Sequence, residues 1–323
     1  PGHRMFLKGK ALEAVKLSAF GCLLGAILAI AFSPVFVSFA LQIAEFLPKV
    51  LLFLLAFVIA LMVFSEKKLW KKVFAVIVVF LAGILGIVSL NYGSMQNSLL
   101  ALVSGFFAVP SLLWSLKQKI VFVRQEDSES GFEKKPALLS GFFGSIAGSI
   151  VALLPSIGPS EAALMIRKLV GEISEKAYLV LLGSISTANM VFSFFMLYYF
   201  SKTRTGSAVA LKQIIQLSQN QFFLLIAIVL FTAGIAFFLS IWLSRKAVFF
   251  LQKINYSLLN IAVLVFLSLM VFAFSGFLGL LVFFTASSIG FFSLSIGVKR
   301  SHSMAFLMLP TMIFYFNALA AGF

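Results

Sequence analysis

The chain has 323 residues, 62% of them apolar and 11% charged, with a mean hydropathy of +1.11. Soluble domains carry about 25% charged residues, and so few polar groups could not cover so much apolar surface in water, which excludes a soluble fold. The net charge of +15 does not mark a nucleic-acid binder, because the cations sit in short clusters between apolar runs, as in the cytoplasmic loops of membrane proteins.

About 20 apolar residues cross a bilayer as a helix. In chain order the predicted spans are 14–40, 47–64, 73–91, 98–116, 177–200, 221–243, 250–272, 274–293 and 303–322. Between the fourth and fifth lies 137–170. Its apolar stretch 137–154 stops at Pro155 and Gly158 and continues as a shorter piece, 159–170, so that neither half makes a comfortable span. We read it as a re-entrant hairpin that enters and leaves on one side. The polar stretch 117–136 reads as a cytoplasmic linker.

Lysine and arginine set the orientation. Lys67, Lys68, Lys71 and Lys72 form one cluster, and Lys117, Lys119, Arg124, Lys134 and Lys135 a second. Arg245, Lys246 and Lys253 form a third, and Lys299 and Arg300 complete the set. The connections between them, near 41–49, 91–98 and 272–275, hold only Lys49. The bias predicts a multi-pass protein of the cell membrane with the clusters inside. Loop 201–212 resists: it should face outside, yet it carries Lys202, Arg204 and Lys212. Either it folds back toward the membrane or the span count is off by one there.

An internal repeat is visible. KGKALEAVKL (8–17) lies on KTRTGSAVAL (202–211), with Lys8 on Lys202, Lys10 on Arg204 and Leu17 on Leu211. At nearly the same shift Gly83 and Gly86 meet Gly276 and Gly279, and at a slightly larger one Phe106 and Pro110 meet Phe306 and Pro310. The helices after the matched basic segments run in opposite directions, so the repeats are inverted, as in alternating-access carriers. The expected domains are a first repeat over 1–116, the linker 117–136 and a second repeat over 137–323. The second repeat opens with a hairpin and a helix. The counterpart in the first would lie before Pro1, so a longer natural protein is expected.

The segment GFFGSIAGSIVALLPSIGPSEAALM (141–165) carries the densest signal. Gly141, Gly144 and Gly148, with Ser145 and Ser149, allow close helix approach. Pro155, Ser156, Gly158 and Pro159 break the helix, and a new one starts near Ser160 with its free N–H groups available to an anion. An ordinary kink is the alternative. Glu161 either takes part in binding a coupling sodium or proton, or complements its helix end. In the next span Ser184, Ser186, Thr187, Asn189 and Ser193 lie at mid-membrane, either facing a cavity or bonding helix to helix. Lys202, Thr203 and Arg204 could balance an anion's charge, with Arg4, Lys8 and Lys10 as their repeat partners. His302, beside Lys299 and Arg300, reads as an interface residue.

Enzyme chemistry lacks its parts. There is no paired intramembrane carboxylate, no H-E-x-x-H, no nucleophile elbow and no P-loop. Lone Cys22 excludes an internal disulfide and a cysteine-only metal site. No cofactor is expected beyond a coupling Na+ or H+.

The chain resembles the large membrane subunit of tripartite tricarboxylate transporters, the TctA family, in its archaeal branch. The resemblance rests on PGHRMFLKGKALEAVKLSAFGCLLG, GSIAGSIVALLPSIGPSEAA, STANMVFSFFMLYYFSKTRTGSAVA and GFLGLLVFFTASSIGFFSLSIGVKRSHSMAFLMLP. The family pattern carries a Pro-Gly-x-Gly-type turn at each hairpin, and here the second position is Ser156. The resemblance implies a gradient-driven carrier of small carboxylates. It also implies a small membrane subunit and an extracytoplasmic binding protein as partners.

The resulting expectation is an all-α polytopic membrane protein of about nine spans plus a hairpin, a secondary transporter of small organic anions working by alternating access between inverted repeats. Its partners are a small anionic substrate and the bilayer; a homo-oligomer is compatible with the composition, and nucleic acid is not expected. A translocase of lipid-linked phosphates and a non-transporting scaffold subunit are the alternatives.

Overall fold

The computed structural model describes residues 2–43, 46–92, 95, 97–117, 125, 134–154, 157–171, 173–203, 205–251 and 255–320. The first half holds α1 (Gly2–Leu7), α2 (Ala11–Ile43), α3 (Leu47–Phe64), α4 (Leu69–Asn91), α5 (Ser98–Val103) and α6 (Val109–Lys117). A π-helical turn, Ser104–Ala108, joins the last two. The second half holds α7 (Lys134–Leu153), α8 (Pro159–Val170), α9 (Glu175–Phe200), α10 (Gly206–Ile214), α11 (Gln219–Leu251), α12 (Tyr256–Ile296) and α13 (Ala305–Ala320). A 3-10 turn, Arg300–Met304, leads into α13. Among the described residues there is no strand, as a bilayer demands of anything other than a closed barrel. Among the described residues eight helical segments are long and apolar enough to cross a membrane, and the apolar stretch Lys49–Phe64 of α3 is shorter. The chain is a multi-pass membrane protein.

One of the predicted elements takes a different form. The stretch 137–154 was expected not to make a comfortable span. Helix α7 runs unbroken for 20 residues there because it starts at Lys134 and carries its glycines and serines without interruption. Only α8, with 12 residues, is too short to cross. The predicted spans 250–272 and 274–293 correspond to the two arms of α12, which breaks at Gly276 (φ 65°, ψ −163°). A side chain placed at Gly279 would lie 3.5 Å from the Val271 carbonyl. In a straight helix those residues stand about 12 Å apart, so α12 doubles back on itself. Gly276 supplies a positive φ that other residues adopt at a cost.

The chain divides into two compact units, one of residues 1–44 and 122–253, the other of 45–121 and 254–323. In the first, α9 is the centre, enclosed by α7 and α2. Glycines let the three backbones touch. A Cβ at Gly25 would stand 2.5 Å from the Ser184 carbonyl, and one at Gly148 would stand 2.6 Å from the Ala188 side chain. The Ser184 hydroxyl donates to the Gly141 carbonyl at 2.6 Å. At the start of these helices buried Glu13 pairs with Lys176 at 2.5 Å.

In the second unit the core is Val79, Ala82, Leu102, Phe106, Ala286, Ala305 and Phe306. The rings of Phe106 and Phe306, which the sequence had matched as repeat partners, stack at 5.3 Å. Their surroundings are reciprocal: a Cβ at Gly86 would strike the Phe306 carbonyl, and one at Gly290 would lie 2.6 Å from the Phe106 carbonyl. This relates Gly86 to Gly290, whereas the sequence had matched it with Gly279. Element order repeats as well. The short helix α1 and 33-residue α2 recur as α10 and 33-residue α11, at a shift of 208 between the long helices. Lys8 and Lys10 therefore follow α1, while Lys202 and Arg204 precede α10.

Candidate functional site

The site is built on the interruption between α7 and α8 and on α9 beside it. Gly158 adopts an extended conformation (φ −95°, ψ 169°) ahead of Pro159, which suits the first helical position because it has no N–H to leave unbonded. Glu161 closes this end. Its Oε2 accepts from the Gly158 N–H at 3.1 Å and from the Ser160 hydroxyl at 3.0 Å, and the residue is 5% exposed. That geometry belongs to an acid that satisfies its own helix end. Pro155, Ser156 and Arg204 lie outside the described residues.

Parallel packing of α7 on α9 sets Gly144 against Ser184 and Gly148 against Ala188. The same register carries Leu153, the last residue of α7, to the level of Ser193. Two polar atoms in this seam lack partners: the Ser145 hydroxyl, on a fully buried residue, and the Asn189 Oδ1. An unpaired buried polar atom costs about 1–3 kcal/mol. Thr187 faces elsewhere, into a cavity of about 870 Å³ walled by α1, α2, α9 and α11, whose lining includes Ser18, Cys22, Thr232 and Ser240 but no charged residue. The Ser186 hydroxyl donates to the Leu182 carbonyl on an exposed face of α9.

The turn after α9 folds back. Thr205 donates through its N–H (3.2 Å) and hydroxyl (3.1 Å) to the hydroxyl of Ser193, seven residues inside the end of α9. It also caps α10 at the Ala208 N–H. The amino end of α10 thus reaches the level where α7 stops. Lys202 is exposed and Thr203 half-buried in this turn, and Lys212 donates to the Ser201 carbonyl. This is the folding-back that the charges of loop 201–212 called for.

Arg4, Lys8 and Lys10 lie at the other end of α9. Arg4 and Lys8 pair with Glu175 at 3.7 and 3.4 Å. Glu175 and Ser193 are 18 residues apart on one helix, about 27 Å at the helical rise. The structure therefore groups Gly158, Pro159, Ser160 and Glu161 at the start of α8, leaves Asn189 in the seam between α7 and α9, brings Thr205 to Ser193, and sets Arg4, Lys8 and Lys10 at the far end of α9.

Three contacts were not read from the sequence. Thr205 before Gly206 and Ser207 is a cap signal that could have shown the link to α9. Glu13 with Lys176 had no signal beyond two charges at helix starts. The third is in the second unit, where fully buried His302 meets Glu66 at 3.1 Å and the Lys299 N–H donates to the same carboxylate oxygen at 3.1 Å. Burial pushes the Glu66 carboxyl up, but the bonds from Lys299 and His302 and the Lys299 charge outweigh it, and the net shift is downward from 4.5. Among the described residues no group of three or more His, Cys, Asp or Glu is placed to hold a metal ion.

These interrupted helices can be set beside known proteins. The model of the tripartite tricarboxylate transporter TctA family matches residues 1–305. The chain belongs to the TctA family. The uncharacterized protein MJ1079 of Methanocaldococcus jannaschii is 30% identical over 328 residues, covering 98% of this chain and 80% of that protein. No solved structure matches the chain. As a TctA-family protein it is a membrane component of a transport system, and its unbonded seam atoms and folded-back turn lie within the residues the family model covers.

Proposed function

We propose that the protein is a gradient-driven carrier of small organic anions of the di- or tricarboxylate class. The observation that carries this reading is that the end of α7, before its break, and the folded-back amino end of α10 reach the same level of α9, near Ser193. Discontinuous helices at such depth are tolerated where they line a binding cavity. Because Glu161 already holds the amino end of α8, the anion's charge is met by the 202–207 turn. There Lys202, Arg204 and the first N–H groups of α10 can engage a carboxylate. Family membership supports a small membrane subunit and an extracytoplasmic binding protein as partners.

Each compact unit draws on both halves of the chain: α2 lies with α7 to α11 in one, and α3 to α6 lie with α12 and α13 in the other. This division supports an alternation in which a unit, rather than a repeat, is the moving body. Joining α2 to α9 through Phe36→Cys and Phe192→Cys, whose rings stand 4.3 Å apart, in a Cys22→Ser background should then leave uptake intact. Rocking of repeat against repeat requires that the same crosslink abolish it.

The test of the carrier reading is the melting temperature of the purified protein across di- and tricarboxylates, phosphate and a polyprenyl phosphate, with and without sodium. A ligand of the folded state raises it with concentration. A carboxylate should do so for the natural protein and not for Lys202→Gln/Arg204→Gln. A shift that survives in that variant, or no carboxylate shift at saturation, removes the reading. The apolar cavity of about 870 Å³ favours a second reading, translocation of a lipid-linked phosphate, and a response to the polyprenyl phosphate alone would select it.

A further inference from the structure

We infer that the basic pocket at the first turn of α9 is a binding site for the phosphate of an anionic phospholipid. The pocket encloses about 320 Å³ and is lined by Lys8, Lys10, Pro136, Ser174, Glu175 and Lys176, among others. It is independent of the carrier site, from which 18 residues of α9 separate it.

Charge accounting identifies the ligand class. Three lysines face one carboxylate across the pocket. Glu175 is shared by Lys8 at 3.4 Å and Arg4 at 3.7 Å, and Lys176 is held by Glu13. Lys10 is exposed and has no ion-pair partner among the described residues. Among the described residues the pocket thus carries an unbalanced positive charge at one membrane-facing end of a unit whose helices α2, α7 and α9 are spanning candidates. Basic pockets between spanning helices, on the side where lysines accumulate, are the setting in which anionic headgroups are held.

The adjoining wall argues for a lipid over a free anion. The corner between α1 and α2 that presents Lys8 and Lys10 also contributes Gly2, Phe6 and Ala11 to the cavity of about 870 Å³. In that cavity the hydroxyls of Thr232 and Ser240 are already bonded within their own helix. A headgroup at Lys10 would therefore have apolar volume for an acyl chain on the other side of one short helix. Gln125 fastens the corner, accepting from the Ala11 N–H at 2.9 Å and donating to the Phe6 carbonyl at 3.0 Å.

The test is native mass spectrometry of the whole protein released from nanodiscs of phosphatidylglycerol and phosphatidylcholine in equal amounts, with 10 mM inorganic phosphate as a parallel arm. The natural protein should retain phosphatidylglycerol selectively. Lys8→Gln/Lys10→Gln should weaken retention about 30-fold, from about 1 kcal/mol per lysine near an anionic surface. Lys49→Gln, in the other unit, should change nothing. Glu175→Gln supplies a change of opposite sign, since freeing Lys8 and Arg4 should strengthen retention, a gain that a folding defect does not produce. Equal retention by the natural and double-variant proteins overturns the site. Displacement of the lipid by inorganic phosphate at equal headgroup concentration overturns the lipid as its source.

Discussion

The two compact units hide backbone and hydroxyls from lipid by the same means, close glycine contacts and hydroxyls returned to their own helix, and differ in where buried polar atoms are left unbonded. In the second unit mid-helix hydroxyls are returned to their own helix: Ser89 to Leu85, Ser104 to Leu100, Ser287 to Phe283 and Ser293 to Gly290. Large apolar side chains then fill the space between helices. Both units bring backbones into contact through glycine, at Gly25 and Gly148 in the first and at Gly86 and Gly290 in the second. Among the described residues, however, the first leaves Ser145 and Asn189 unbonded midway along its helices, whereas the unbonded atoms of the second, on His302 and Ser303, lie in the turn before α13. Polar groups that a bilayer protein leaves unsatisfied at that depth are kept for something other than stability. The contrast points to the first unit as the one that handles a polar ligand.

The comparison breaks most easily at the seam. Gly25→Leu forces a side chain into the Ser184 backbone, and we expect a loss of about 3 kcal/mol or more, read as a collapse of folded yield in detergent. Gly234→Leu, on α11, meets nothing within 4 Å and should leave yield unchanged. If both behave alike, close backbone contact is not what holds the seam together. The reciprocal packing of the other unit predicts that Gly86→Ala and Gly290→Ala each lose about 2 kcal/mol and match one another in thermal unfolding. A large inequality would break the two-fold relation. Thr205→Ala removes a cap and the link to Ser193, with an expected loss of about 1 kcal/mol. Its effect should be visible as faster hydrogen exchange confined to α10.

The smallest expected effect sharpens the contrast through pH. The Glu66 carboxyl is shifted downward in the folded protein. Its contribution to stability is therefore present above the unfolded value and lost as pH falls through the folded one. Melting temperature should drop more steeply below about pH 4.5 in the natural protein than in Glu66→Gln. Parallel curves would show that the Glu66–His302 contact contributes nothing to stability.

Much of this architecture was legible because hydrophobic run length reports span directly. Runs ending at Lys67 or Lys117 located α3 and α5–α6, and Pro155 with Gly158 located the interruption. What escaped depends on contacts between distant segments. The turn within α12 was legible as the connection near 272–275 between two predicted spans, but not that the backbone of a single residue, Gly276, makes it. The match of Lys8 with Lys202 failed to find its place because short basic starts before Ala-Val-x-Leu resemble one another by chance, whereas element lengths do not. His302 reads as an interface residue from its charged neighbours, and only the approach of Glu66 from more than two hundred positions away shows it to be enclosed. For the site, Glu161 could be named from sequence, but choosing between ion binding and capping needed the position of the Gly158 N–H.

Cys22 is the one cysteine of the chain, and it lines the large cavity of the first unit. This chain consequently carries a single-site chemical reporter. A membrane-permeant maleimide should label it stoichiometrically, a bulky charged thiosulfonate should not, and a spin label or fluorophore attached there would follow the filling of that space without any engineered residue.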